Sequence, residues 1–311
     1  MHKLILVNPL SPGDILICTN AIRDLHLKHP GKFLTDIRVP SGCEQIFENS
    51  PYITHIDDND PEAKRIRLDY PDIHTSGWSG RPFATAHLRN LETVLGIPIE
   101  HTTLKPDIFL SQDEILWPSP VTVEYGYTGK YWVINAGIKS DYTLKYYPYY
   151  QTVVDLLKNV VQFVQVGQLE HNHPPLKDVI DMRGKTDLRQ LFRLSYHAEG
   201  AVCAISLQMV IQMCFDKPCV VVAGGREGIR WQLYPGHRFL STHGAIDCCS
   251  YDGCWLSKKH ECKHLIDGEP LCMRMIEPVD IVRAIELYYK GGRLTREERN
   301  PLYAVANPIH S

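Results

Sequence analysis

The stretch Leu4-Ile5-Leu6-Val7-Asn8-Pro9-Leu10-Ser11-Pro12-Gly13-Asp14 decides the fold. Four apolar residues in succession make a buried strand, and the Pro- and Gly-bearing loop behind them ends it. Ile15, Cys18, Ile22 and Leu25 then recur with helical spacing until Pro30-Gly31. Strand, loop and helix in this order form the unit of a parallel sheet, because parallel neighbours need a crossover connection.

Working outward, residues 33–39 give a second buried strand, 43–48 a short helix and 52–56 a third strand. From 57 to 80 periodicity fades into a loop-rich excursion with one strand near 65–68. Leu88, Leu91 and Leu95 restore a helical pattern, and 106–110 is expected to be the last strand of the first half. Trp117-Pro118-Ser119-Pro120, running on to Gly126 and Gly129, has the Pro and Gly density of a linker. A second alternating series follows. Strands are expected over 131–135, 160–166, 179–182, 202–205 and 219–223, with helices opened by Pro148 and Asp187 and another running through Met213. A last helix over 279–289 is expected to cross back toward the first half.

The expected fold is therefore α/β, two doubly wound halves with a site between them. The expected division is 1–125, 126–290 and a tail over 291–311. At 311 residues the chain exceeds one small core, and a net charge of −3 gives no reason to expect nucleic acid or an anionic membrane. No apolar run approaches the length of about 18 residues that spans a bilayer. The first apolar run is too short for a signal peptide and is closed by Asn8-Pro9, so a cytoplasmic protein is expected.

Five of the ten cysteines, Cys248, Cys249, Cys254, Cys262 and Cys272, gather in one segment over 246–273. Disulfides would need an oxidising compartment. Sulfur in this density suits a tetrahedral metal on four thiolates with one left over, and buried thiols are the plainer alternative. The expected set is Cys249, Cys254, Cys262 and Cys272, with Cys248 as the substitute for Cys249. Ligand chemistry admits zinc or iron equally.

Several segments together resemble glycosyltransferase family 9, the bacterial heptosyltransferases, and most closely its cysteine-metal branch with the autotransporter heptosyltransferases. They are Pro12-Gly13-Asp14, Lys145 through Pro148-Tyr149-Tyr150, Val166-Gly167, Arg183-Gly184-Lys185-Thr186-Asp187-Leu188 and Lys217-Pro218-Cys219-Val220-Val221. Gly224-Gly225-Arg226-Glu227, Tyr234-Pro235-Gly236-His237, Gly253-Cys254-Trp255 and Cys272-Met273 complete the series. The resemblance implies a GT-B fold, with an acceptor-binding first domain and a nucleotide-sugar-binding second one. It also implies inverting transfer without a catalytic metal, and a structural iron at the cysteines. The implied partners are a donor such as ADP-heptose and a saccharide, lipid-linked or protein acceptor. Self-association into a homo-oligomer is compatible with it, and nucleic acid is not expected.

On that resemblance Asp14 is the general base, since an acceptor hydroxyl needs a carboxylate to take its proton. A helix N-cap is the competing role. Gly13 allows close backbone approach, as a simple turn would also require. Lys145, with Lys139 as a weaker substitute, would neutralise the departing diphosphate, helped by the turn Asn135-Ala136-Gly137. Ser206 and Leu207 open a helix whose amino terminus favours a phosphate. Gly167, Gln168 and Glu170, and Gly225, Arg226 and Glu227, lie on loops at strand carboxyl ends, where ligands bind in such sheets. Val210 stands where the family resemblance leads one to expect a donor-contacting histidine. A non-catalytic relative that only binds a ligand or partner is the alternative reading.

Overall fold

The computed structural model describes residues 1–70, 73, 81–250 and 252–291. The tail expected from 291 onward thus lies outside the described residues beyond Gly291, as does part of the excursion over 57–80.

In the first half, β1 (His2–Val7) leads into α1 (Pro12–Lys28), followed by β2 (Phe33–Arg38), β3 (Ala63–Arg67), α2 (Ala86–Leu95), α3 (Gln112–Leu116) and α4 (Pro120–Tyr125). β1 is the centre of a three-stranded parallel sheet in the order β2-β1-β3. The strand expected over 52–56 does not form. Its Thr54 N–H reaches the Thr35 carbonyl at the outer edge of β2, but the next ladder bond is lost because the Ile56 N–H goes to the Asp36 side chain instead. The strand expected over 106–110 is also absent. That segment is irregular, and Asp107 pairs with Arg23 of α1. The Pro-rich linker carries one short helix, α4, and another, α3, runs directly into it. Ser111 caps α3 in a reciprocal box with Glu114, and Ser119 caps α4 ahead of Pro120.

The second half runs β4 (Trp132–Asn135), α5 (Tyr150–Leu157), β5 (Phe163–Gln165), β6 (Ile180–Asp181), α6 (Leu188–His197), β7 (Gly200–Ala204), α7 (Leu207–Cys214), β8 (Cys219–Gly224), α8 (Ile229–Gln232) and β9 (His237–Ser241). The six strands form one parallel sheet in the order β6-β5-β4-β7-β8-β9. Every residue of β7 and β8 is buried, as expected for strands covered on both faces. After β9 come the hairpin β10 (Leu265–Ile266) and β11 (Glu269–Pro270), α9 (Leu271–Arg274) and α10 (Pro278–Gly291). Asp267 and Gly268, both at positive φ, make the two-residue hairpin turn. The last helix does not cross back: its buried Ile281, Ile285 and Tyr288 join α5 and the second sheet in one core.

The other core is shared. It runs from the first sheet through Ile15, Leu16, Cys18 and Ile22 of α1 to Met209, Val210, Ile211 and Met213 of α7, and on into β7 and β8. This is why α1 is buried from Ile15 to Leu25 without a solvent stripe: one side faces its own sheet and the other faces α7. Beside this contact Arg189 of α6 donates to both carboxylate oxygens of Glu114 at 2.8 and 2.6 Å, and to the Phe109 carbonyl at 2.8 Å. No helix among the described residues is long and apolar enough to cross a membrane.

Candidate active site

The loop after β1 presents Asp14 to the second half. Ser11, in extended conformation, is the N-cap of α1, and Pro12 takes the first helical position, where its missing N–H costs nothing. Asp14 is therefore not the cap. Its carboxylate reaches back to the Ser11 N–H, and its carbonyl accepts from Nε2 of the buried His87 at 3.2 Å. Burial holds His87 down at about 4, so this imidazole is neutral and its Nε2 carries the hydrogen. Nothing in the sequence flagged His87, a polar residue on the buried side of α2.

The Asp14 carboxyl keeps a partly exposed edge but lies deep among protein atoms. Burial raises it to about 6; the Lys145 charge opposes the rise and the Glu227 charge adds to it. Tyr70 faces the same place, and burial followed by the Asp14 charge pushes its phenol up to about 12. Lys145 follows β4 in a short turn, and its Nζ is ion-paired with Glu227 beyond β8. Burial lowers Lys145, with Glu227 opposing. Burial would raise Glu227, yet Lys145 and Arg226 outweigh it and keep the carboxylate ionised. Lys139 Nζ lies 3.3 Å from Ser11 Oγ.

Gly13 closes the gap between the halves, since a β-carbon there would stand 3.5 Å from the backbone N and Cα of Leu207. Ser206, the N-cap of α7, makes no side-chain cap bond. Its buried hydroxyl has no hydrogen-bond partner among the described residues. Val210 is 3% exposed and belongs to the shared core rather than to the cleft. Gly13, Asp14, Lys139, Lys145, Ser206, Leu207 and Glu227 are thus brought together, with Arg226 behind Glu227.

The remaining expected residues make contacts of their own. Asn135 turns along the sheet to the Val166 carbonyl at 3.4 Å. The ring of His173 covers Gly137 and Gly167, and a β-carbon on either would collide with it. Burial and the neighbouring His171 hold His173 at about 4. Gln168 and Glu170 are exposed. Gly225 faces away from the cleft, toward Cys249, whose sulfur leaves no room for a β-carbon. A cavity of about 550 Å³ opens elsewhere, between α8 and the turn holding His243 to Asp247, and does not include the carboxylate.

All five clustered cysteines are outside any disulfide, and burial, followed by the neighbouring thiols, pushes Cys248 up to about 11. They do not form the expected four-sulfur cage. Cys249 Sγ instead donates to the carbonyls of Thr242 and Ile246 at 3.5 and 3.4 Å. Among the described residues the one group of donor atoms all within 4.8 Å of each other is Asp247, Cys248 and His264. The donor types, five soft sulfurs with one imidazole, still fit a thiophilic metal. Trp255, next to Cys254, adopts a left-handed φ of 53° and packs edge-on against Trp231, with its ring 5.6 Å from the Arg226 guanidinium.

No protein-family model matches the sequence, and no curated protein matches it. Solved structures do. A glycosyl transferase family 9 protein from Veillonella parvula DSM 2008 superimposes with a TM-score of 0.64 at 14% identity, over 92% of this chain and 96% of that one. The ADP-heptose lipopolysaccharide heptosyltransferase II of E. coli gives 0.60 at 13% identity, over 92% and 98%. TibC, an iron-containing dodecameric glycosyltransferase from enterotoxigenic E. coli H10407, gives 0.66 at 16% identity, over 93% and 76%. The fold is the GT-B arrangement of these proteins, and the chain resembles the family 9 heptosyltransferases across most of its length.

Proposed function

We propose that the protein is an inverting glycosyltransferase that moves a heptose or related sugar from a nucleotide donor, ADP-heptose or similar, to an acceptor hydroxyl. Asp14 takes the hydroxyl proton as the oxygen attacks the anomeric carbon on the face opposite the leaving diphosphate. Lys145 supplies the charge that balances the departing phosphates, and the amino terminus of α7 with the unpartnered Ser206 hydroxyl supplies donors for them. Neighbours of the same fold support a sugar-nucleotide donor: TibC is described in complex with ADP-D-beta-D-heptose and the heptosyltransferase WaaC with ADP. The observation that carries the reading is Asp14, a buried carboxyl with a pKa near 6, opposite Lys145 from the other half. Such a value lets a carboxylate act as base near neutrality. Cys249, Cys254, Cys262 and Cys272 would hold an iron or zinc that braces the second half, with Cys248 beside them.

The test is release of nucleoside diphosphate from a panel of sugar nucleotides, with the Asp14→Asn variant beside the wild type. Transfer should vanish in the variant while donor binding, read by thermal shift, stays near normal. Full activity in the variant removes Asp14 from the role of base.

A further inference from the structure

The residues on the second-half side of Asp14 hang from the cysteine segment. Between Cys254 and Cys262 the chain passes first behind Arg226. The Trp255 N–H bonds to the Arg226 carbonyl at 3.0 Å. In return the Arg226 side chain donates to the Leu256 carbonyl at 2.6 Å and the Trp255 carbonyl at 3.4 Å. The guanidinium lies over the rings of Tyr142 and Trp255, 5.1 and 5.6 Å away, and its remaining nitrogen holds Glu227. A few residues on, the same segment holds the turn that carries Lys145. The Ser257 carbonyl accepts from the Leu144 N–H at 3.2 Å, and the Lys259 N–H donates to Thr143 Oγ1 at 3.0 Å. Lys258 Nζ adds a bond to the Ser140 carbonyl at 2.7 Å.

We infer that this segment is a bracket, held by its hydrogen bonds to Arg226 and to the turn over 140–145, that sets Lys145 and Glu227 opposite Asp14, and that Arg226 is the positioning residue through which it acts. Arg226 is 7% exposed, and its planar fork is divided among two backbone carbonyls and one carboxylate, which an ammonium cannot reproduce. The charged and titratable groups around Asp14 are Lys145, Glu227 and Lys139, with Tyr70, Tyr234, Cys18 and His87 packed about it and Arg226 behind Glu227. Loosening the bracket withdraws the cation that lowers the Asp14 carboxyl and leaves Glu227, which raises it, less well balanced. Both changes move the base in one direction, upward. The coupling is reciprocal, so releasing Arg226 also loosens the bracket.

The inference rests on Asp14 acting as base, and the experiment separates the two ideas. Arg226→Gln and Arg226→Lys are made, along with Gly253→Ala, whose new β-carbon would collide with the Arg226 carbonyl and press on the Glu227 backbone N from the cysteine side while leaving every side chain around Asp14 in place. Fold is checked by circular dichroism. In Arg226→Gln and Gly253→Ala the acidic limb of kcat/KM should move up by about half to one pH unit. Arg226→Lys should recover part of the shift because it keeps the charge. Alkylation of Cys254 by iodoacetamide, followed by mass spectrometry, should be about three-fold faster or more in all three variants, as local opening becomes easier. A limb that stays at its wild-type pH, or an unchanged Cys254 rate, overturns the inference, and a uniform loss of rate at every pH does the same. If wild-type protein releases no nucleotide from any donor, the transferase reading fails. The Cys254 rate then decides the bracket alone, with faster labelling supporting it and unchanged labelling overturning it.

Discussion

Gly13 and Leu207 touch across the two halves: a β-carbon on Gly13 would rest 3.5 Å from the Leu207 backbone, so the loop that carries Asp14 and the first turn of α7 are in direct register. One methyl there would make ordinary van der Waals contact with Leu207, and further carbons are expected to press on it. Gly13→Ala should keep near-normal transfer, whereas Gly13→Val should wedge the loop away from α7 and lower kcat/KM by about ten- to a hundred-fold. Steady-state kinetics of the two variants checks this, and equal activity in both would show that the contact does not set the geometry.

Asp14 carries a pH signature in both rate and stability. With Asp14 as the proposed base, the rate of transfer should fall about ten-fold per unit below pH 6 as the carboxylate takes up its proton. Its folded pKa lies above the ordinary 3.8, so folding favours the protonated form. The associated stability is full below about pH 3.8 and is lost as pH rises through about 6. Asp14→Asn should therefore unfold at higher denaturant than wild type at pH 7, by on the order of 1–3 kcal/mol, and match it near pH 4. Urea titrations at the two pH values measure the difference.

Lys145→Met removes the cation from the Glu227 pair and, on the proposed function, from beside the leaving diphosphate. The kcat should drop about a hundred-fold or more, the scale for losing one preorganised charge at a developing anion. Single-turnover kinetics separates that loss from weaker donor binding.

Glu114 and Arg189 join the halves away from the cleft, with side chains 11% and 9% exposed. Glu114→Gln should cost about 1.5–3 kcal/mol, because it removes the closer of the two carboxylates on the guanidinium and leaves Glu48 Oε2, 3.4 Å from Nε, as the remaining charge. Burial alone would raise Glu114, but Arg189 and the Ser111 N–H hold it below its ordinary 4.5. That stabilisation is present above about pH 4.5 and disappears as acid brings the pH down through the lowered value. Chemical denaturation at pH 7 and pH 4 tests both magnitude and sign.

The first strand, its loop and α1 were legible because an apolar run, a Pro at the first helical position and 3.6-residue spacing all agree there. The α6 start at Asp187 was legible for a similar reason, its reciprocal cap with Gln190. β3 was harder, since only Ile66 of its five residues is buried. The edge strand β9 is half-buried throughout and shows no clean alternation. Resemblance brought Asp14 and Lys145 to notice, but no local pattern could pair Lys145 with Glu227 or put His87 behind Asp14, because sheet order brings those segments together. Arg226 was expected at a phosphate or sugar, and its chemistry suits that; its engagement with Trp255 and Leu256 depends on a remote backbone turn.

The apolar packing that α1 and α7 share across the middle of the molecule bears on how a substrate gets in. Jaws that swing wide would have to peel those helices apart and strip Arg189 from Glu114, so the machine is better pictured as a vice already set to width. On the proposed function, donor and acceptor would enter along the slot without a large hinge stroke of one half against the other.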